Sequence, residues 1–307
     1  MKTEALRIQS EADGLTLSVL IAEPEGDPRA LVQIAHGMAE HKARYLDFIE
    51  ALTQAGYAVL IHDHRGHGAS AKTADDLGYF GSVGADGMLA DLKQLTGLMT
   101  ARHPGLPLCL FGHSMGSLAA RAYARSDDGG LSALIVCGCP SENPSARAGR
   151  ALVRVLKWLR GERHRSALMD QLTNGPFRKQ LPSLSGAFGW LNSDPEAVAA
   201  YERDEQCGFN FTLNGYEALT KLMRAAYARD GWALRKPELP ILFISGANDP
   251  CMIDRTRLDA AVRRMREVGY TSVSLHVYEG MRHEILLEPG RAQVYADVIA
   301  FLDRAMF

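Results

Sequence analysis

Short runs of apolar residues bounded by turn residues recur along the chain, and longer stretches with apolar positions at helical spacing lie between them. Thr3 to Ser10 and Leu15 to Ala22 read as an opening hairpin around Ala12-Asp13-Gly14. Strands are then expected at Ala30 to Ala35, Ala58 to His62, Leu108 to Phe111, Leu131 to Val136, Ile241 to Ser245 and Ser272 to Tyr278. Helical patterns fall at about 43–55, 86–102, 115–126, 255–268 and 290–305. This alternation predicts an α/β fold, a mostly parallel eight-stranded sheet flanked by helices. One region breaks the rhythm. Between Pro140 and about Tyr227 there is no convincing strand, only helical spacing cut by turns such as Asn174-Gly175-Pro176 and Pro182. We read 141–225 as a helical cap inserted after the sixth strand, on a core of residues 1–140 and 226–307. The insertion is expected over the carboxyl ends of the strands, where open α/β sheets take their ligands.

With 47% hydrophobic and 23% charged residues in 307, the composition is that of an ordinary globular chain, which excludes collagen-like and wholly disordered readings. The formal net charge of −2 argues against nucleic acid as the main partner. Five cysteines at 109, 137, 139, 207 and 251 show no paired CxxC spacing, and the first three sit inside apolar runs as small hydrophobes do. A reducing, cytoplasmic setting is the consistent expectation. The first residues have no secretory or transit character, and no apolar run is long enough to span a membrane.

The most informative segment is the apolar run Leu108 to Phe111 followed by Gly112-His113-Ser114-Met115-Gly116 and a helical pattern from Ser117. A strand, a G-x-S-x-G turn and a helix in that order lift a serine hydroxyl above a sheet on a strained turn, with glycines where side chains would clash. Ser114 is therefore the candidate nucleophile. The N–H of Met115 lies at the helix start, where developing negative charge is favoured. Such a serine needs a base, and the base needs an orienting carboxylate, in the chain order acid then histidine. After Ser114 come only His164, His276 and His283. His276 lies within a strand pattern and His164 in an Arg-rich turn, whereas His283 follows a strand and Gly280 in a loop. His283 is the expected base. Asp249 lies just beyond the strand Ile241 to Ser245 and is the expected acid; Asp254 reads as the N-cap of the next helix. After the third strand comes His36-Gly37-Met38, and a loop there supplies a second oxyanion donor, the N–H of Met38.

Three segments carry a specific likeness: His36-Gly37-x-x-Glu40-His41-x-x-Arg44-Tyr45, Asp63-x-Arg65-Gly66-His67-Gly68-x-Ser70 and Gly112-His113-Ser114-Met115-Gly116. With Gly246-x-x-Asp249-Pro250 and Tyr278-x-Gly280-x-Arg282-His283-Glu284, the chain resembles the monoacylglycerol lipase and lysophospholipase branch of the α/β-hydrolases over about 30–290. The resemblance implies a serine hydrolase with triad Ser114, Asp249 and His283, oxyanion donors Met38 and Met115, no cofactor, no metal, and a helical cap that holds an acyl chain. Ser117 departs from the many relatives that carry a further glycine there, and the cap, from about 141 to 225, aligns poorly with them. Epoxide hydrolases and haloalkane dehalogenases, which place Asp where this chain has Ser114, are disfavoured.

Other residues take plainer readings. Arg65 is expected to pair with buried carbonyls or carboxylates within a structural loop, despite the histidines around Asp63, and His113 to support the nucleophile turn. Residues 145–165 carry seven basic side chains against Glu162 alone, which is +6 and leaves −2 − 6 = −8 for the rest. Within the helical span 147–160, Arg147, Arg150, Arg154 and Lys157 lie opposite Leu152, Val155, Leu156 and Leu159. That helix either packs its apolar side on the site or meets a lipid surface; packing is the preferred expectation. The expected activity is hydrolysis of carboxylic esters through an acyl-enzyme, with single-chain acyl esters such as monoacylglycerol or lysophospholipid as substrates. Alternatives are an esterase on small soluble esters, an amide or thioester hydrolase or an acyltransferase with the same triad, and a non-catalytic small-molecule receptor. Oligomeric state is not legible.

Overall fold

The computed structural model describes residues 1–142, 146–180 and 186–307. Ser145 and Pro182, and the side chain of Arg147, lie outside the described residues. β1 (Lys2–Gln9) and β2 (Thr16–Glu23) form the opening antiparallel hairpin. β3 (Ala30–Ala35), β4 (Tyr57–Asp63), β5 (Leu108–His113), β6 (Ala133–Cys137), β7 (Ile241–Gly246) and β8 (Val273–Tyr278) complete one eight-stranded sheet in the order β1-β2-β4-β3-β5-β6-β7-β8. β2 runs antiparallel to β4, and every pairing from β4 through β8 is parallel. All residues of β3, β4, β5, β6 and β7 are buried, which is why these strands read as unbroken apolar runs rather than alternating ones. β8, at the edge, alternates and turns His276 outward.

The helices follow the 3.6-residue stripe. α1 (Leu46–Gln54), α2 (Gly84–Arg102) and α3 (Met115–Ser126) come before β6; α4 (Ala146–Arg160), α5 (Ala167–Thr173), α6 (Gly175–Gln180), α7 (Pro195–Arg203) and α8 (Leu213–Ala226) lie between β6 and β7; α9 (Arg255–Glu267) and α10 (Arg291–Met306) follow. Phe48, Ile49 and Leu52 of α1 share one face of the sheet with Val294, Val298 and Leu302 of α10. On the other face Met88, Leu92, Leu95 and Met99 of α2 join Leu118 and Ala122 of α3. The fold is thus the α/β-hydrolase architecture the pattern predicts. Asp254 caps α9 by accepting from the Arg257 N–H at 2.8 Å. Among the described residues no helix is long and apolar enough to cross a membrane.

α4 departs from expectation. Val153 is fully buried and Leu152 and Leu156 pack on the core, but Val155, Trp158 and Leu159 are exposed, Trp158 at 84%. At 100° per residue its apolar positions span roughly 220°, more than one contact face can cover. Its basic residues are also less free than their number suggests. Lys157 pairs with Glu217 at 2.7 Å, Arg163 with Asp76 at 2.9 Å, and Arg165 donates to the carbonyls of Leu77 and Asp75 at 2.8 and 3.2 Å.

Arg65, in the loop after β4, is fully buried and ties three distant segments together. Its guanidinium bonds Asp91 of α2 at 2.8 Å, Asp13 of the opening turn at 2.9 Å and the Phe80 carbonyl at 3.0 Å. Replacing Arg65 by Leu leaves Asp91 buried without its counter-charge, and the expected loss is about 3–5 kcal/mol. Urea unfolding followed by tryptophan fluorescence measures it; a loss below about 1 kcal/mol, the range of an exposed pair, would contradict this account.

Candidate active site

Ser114 occupies the single residue between the end of β5 and the start of α3, with φ 52° and ψ −117°. A non-glycine residue held at positive φ costs of order 1–3 kcal/mol and persists only where its surroundings over-determine it. Here they do. A Cβ on Gly112 would strike the Gly116 carbonyl, and one on Gly116 would strike the carbonyl oxygens of Ala35 and His36, so α3 can approach β3 and β5 only over glycines. The Ser114 N–H donates to the Cys137 carbonyl of β6 at 2.9 Å, and the Ser114 carbonyl accepts from the Ser117 hydroxyl at 2.7 Å. Ser117, the departure from the glycine of relatives, thus fastens the turn from behind.

Asp249 follows β7 in a 2% exposed position. One carboxylate oxygen accepts from His283 Nδ1 at 3.0 Å and from the Cys251 N–H at 2.8 Å; the other accepts from the Ser245 hydroxyl at 3.0 Å. That pairing leaves His283 Nε2 facing away from the carboxylate, 3.9 Å from Cys251 Sγ. Burial alone would lower the His283 pKa, but the Asp249 charge outweighs it and holds the imidazole well above its ordinary 6.5. Burial likewise opposes ionisation of Asp249, and the charge and hydrogen bond of His283 bring its pKa below the usual carboxylate value. The pair is built to stabilise a proton on the ring. Among the described residues Ser114 Oγ and His283 Nε2 share no hydrogen bond, yet both side chains line one cavity.

Met38 and Met115 line the same cavity, and neither backbone N–H has a partner among the described protein groups. The N–H groups on either side of Met38 are engaged. Gly37 N–H donates to Glu40 Oε1 at 2.5 Å, and Ala39 N–H to His67 Nε2 at 3.2 Å. Ala39, at φ 52°, has its carbonyl taken by the Tyr201 hydroxyl at 2.8 Å and the Gly208 N–H at 3.0 Å. Glu40 also accepts from the Tyr45 hydroxyl at 2.8 Å, from His113 Nδ1 at 3.2 Å and from Arg44 at 2.9 Å. Arg44 continues to Glu284, the neighbour of His283, through both terminal nitrogens, at 2.5 and 2.9 Å. His113 accordingly points away from the serine hydroxyl and supports the loops.

The cavity encloses about 820 Å³ of empty space, part of it continuous with solvent. Its wall is mostly apolar and includes Leu118, Leu219, Met223, Phe177, Phe188 and Trp190. The Trp190 ring lies 5.3 Å from that of His283. Trp190, Tyr201 and Cys251 were not legible as site residues. The first two arrive from a region with no recognisable motif, and Cys251 had only its spacing of two from Asp249 to suggest it. His164 and His276 are exposed and away from the cavity. Among the described residues two groups of donor atoms come within 4.8 Å of one another, Asp249-Cys251-His283 and His41-Asp204-Cys207. In each, imidazole and carboxylate are already hydrogen-bonded to one another, at 3.0 and 2.8 Å.

Residues 26–290 match the family described as serine aminopeptidase, S33. The chain is 30% identical over 285 residues to a monoacylglycerol lipase of Mycolicibacterium smegmatis, covering 91% of this chain and 90% of that protein. It is 33% identical over 276 residues to the human monoglyceride lipase, covering 89% and 81%. A thermostable carboxyl esterase of Bacillus coagulans, solved in complex with glycerol, superposes with a TM-score of 0.93 at 28% identity over 100% of both chains.

The ion pair around His283 makes a direct prediction. In Asp249→Asn the ring stays buried but loses its counter-charge, so its pKa falls, and the raised value of the parent drops toward and below 6.5. Titration of the imidazole by NMR measures this; an unchanged or higher His283 pKa in the variant would contradict the assignment of Asp249 as its stabilising charge.

Proposed function

This chain belongs to the serine aminopeptidase S33 family of α/β-hydrolases and is a carboxylic ester hydrolase, and from that premise we propose that Ser114, His283 and Asp249 act as its catalytic triad on single-chain acyl esters. The observation that carries the reading is a serine held at positive φ, 52°, in one apolar cavity with a buried imidazole whose other nitrogen is bonded to a buried carboxylate. Ser114 Oγ attacks the ester carbonyl carbon as its proton passes to His283 Nε2. Asp249 stabilises the resulting imidazolium, and the tetrahedral oxyanion accepts from the Met38 and Met115 N–H groups, each worth about 100- to 1000-fold in rate. Collapse transfers the His283 proton to the leaving alcohol and leaves the acyl group on Ser114. Water, deprotonated by His283, then releases the acid. Hydrogen bonds that are long without substrate tighten as the cavity fills.

An ester with one acyl chain and a hydroxylated or phosphorylated alcohol suits a pocket with an extensive apolar wall, and relatives named monoacylglycerol lipase and monoglyceride lipase support that class. An aminopeptide substrate would need a free carboxylate for its ammonium group, but Glu40 and Glu284 at the cavity edge are both engaged by Arg44. The exposed Val155, Trp158 and Leu159 beside Arg154 and Arg160 give α4 the character of an interfacial contact, through which the helical cap would take amphiphilic substrates from an anionic lipid surface. Five buried thiols, none in a disulfide, accord with a reducing cytoplasmic setting.

Ser114→Ala is expected to abolish ester hydrolysis while leaving the circular dichroism spectrum and melting temperature of the parent, and a fluorophosphonate should label the parent at Ser114 alone. Unchanged turnover, or labelling elsewhere, overturns the triad. Across acyl esters of increasing length, kcat/KM should rise to a medium or long chain; a maximum at acetate would favour the small-ester reading. For the lipid contact, the protein should sediment with vesicles containing phosphatidylglycerol, and Trp158→Ser should weaken this. Equal, poor sedimentation with neutral and anionic vesicles would remove the lipid role of α4.

A further inference from the structure

The N–H assigned to the oxyanion lies between two N–H groups that are both committed. Gly37 N–H is held by Glu40, Ala39 N–H by His67 Nε2, and the Ala39 carbonyl by Tyr201 and Gly208; of these three successive N–H groups only that of Met38 has no partner among the described protein groups. Two of these holds come from the core, since Glu40 and His67 lie in the loops after β3 and β4. The third comes from the region between β6 and β7. Tyr201 is on α7, and Gly208 is in the turn that follows it.

Further contacts along the same seam join α7 and its following turn to the oxyanion loop. His41 Nε2 bonds Asp204 at 2.8 Å, and the Arg44 guanidinium lies 4.7 Å from the centre of the Tyr201 ring. Tyr201 is 6% exposed, its hydroxyl is directed at a backbone carbonyl rather than at solvent, and its ring is walled by Phe188. Ala39 needs such support because a Cβ disfavours φ 52°, and the carbonyl that follows this torsion is the one Tyr201 and Gly208 clasp. Freed from that clasp, Ala39 would relax toward negative φ, the Met38–Ala39 peptide would rotate with it, and the Met38 N–H, one peptide further back, would lose its aim.

We propose that Tyr201 is a positioning residue for catalysis: its hydroxyl, with the Gly208 N–H, locks Ala39 at positive φ and so aims the Met38 N–H, making assembly of the oxyanion hole depend on the docking of α7. This rests on the reading of Ser114 and Met38 given above. It divides the helical cap in two. The α7 end stays seated during turnover, and any opening that admits substrate takes place among α4, α5 and α6.

Tyr201→Phe keeps the ring under Arg44 and removes only the hydroxyl. On p-nitrophenyl acetate, which is too short to engage the apolar wall, kcat is expected to fall about tenfold with KM within twofold, less than the roughly 100- to 1000-fold of losing an oxyanion donor outright. The inhibition constant of a trifluoromethyl ketone, whose adduct carries the oxyanion, should weaken by the same factor, and the melting temperature should hold. Adding Ala39→Gly, which removes the cost of positive φ, should restore part of the lost kcat. Should Tyr201→Phe fail to fold, Asp204→Asn loosens the same seam from its exposed side and should lower kcat in the same pattern by a smaller factor. A Tyr201→Phe enzyme with parental kcat and parental ketone affinity overturns the proposal, as does a loss confined to KM. Stoichiometric fluorophosphonate labelling of Ser114 in the parent separates these failures from failure of the triad itself.

Discussion

Arg44 is held between two buried carboxylates, Glu40 at 2.9 Å and Glu284 through both terminal nitrogens, and through them it connects the loop after β3 to the loop that carries His283. Removing charges from water costs several kcal/mol per ion, so this arrangement is tolerable only when every lone pair and every N–H finds its counterpart. Glu40 fills its remaining capacity with the Gly37 N–H, the Tyr45 hydroxyl and His113. Burial works against its ionisation, but His113 and Arg44 together hold its pKa well below the ordinary value. A network of this kind has no partly formed state of comparable energy. It therefore fixes the distance between the loop after β3 and the loop of His283 more tightly than apolar packing could, since apolar contacts slide and charges with filled shells do not.

That rigidity allows the two strained residues at the cavity. Ser114 and Ala39 both adopt φ near 52°, at roughly 1–3 kcal/mol each, in a molecule whose net stability is of the order of 5–15 kcal/mol. Each is bracketed by hydrogen bonds on both sides of the strained torsion. For Ser114 these come from β6 and from its own helix; for Ala39 they come from the loop after β4 and from the segment around α7. The difference matters. The turn at Ser114 is supported entirely from within the sheet and its helices, whereas the loop after β3 draws part of its support from the helices between β6 and β7.

The same division explains what could be read from the chain. The eight strands were legible because five of them are buried along their whole length, so their apolar runs stand out against helical stretches. Ser114, Asp249 and His283 could be nominated because each follows a strand in a short local motif, and the structure places all three at the same end of the sheet. Contacts made across long separations left no such trace. Arg65 meets Asp91 and Asp13 across 26 and 52 positions, and only its need for some partner could be foreseen. Tyr201 reaches Ala39 across 162 positions from a helix with no motif at all. On α4 the periodicity identified an amphipathic helix but could not say which part of a roughly 220° apolar arc would be covered, because that depends on what packs beside it.

The charge balance changes meaning once these partners are known. A net −2 conceals a +6 span at 145–165, and of its seven basic side chains Arg163 and Arg165 are tied to Asp76 and to carbonyls of the core, while Lys157 is tied to Glu217 of α8. The two arginines bind the helical region to the core and Lys157 joins two of its helices, so all three bear on stability and not on lipid. The charge available to a surface is then carried by Arg160 and by Arg154, which lies 4.0 Å from Glu217, next to Val155, Trp158 and Leu159. On α5, Leu168 and Leu172 are likewise exposed, while Thr173 at its end lines the cavity. α5 thus borders the cavity and also turns apolar residues to solvent, whereas no described residue of α4 lines the cavity. An element that is apolar on both sides gains little by staying shut in water and loses little by opening against a lipid surface, where its outer side would be buried instead. α7, whose Tyr201 clasps Ala39, has no such exposed large apolar residue, and its hydrogen bond to the loop after β3 favours the seated position in either environment.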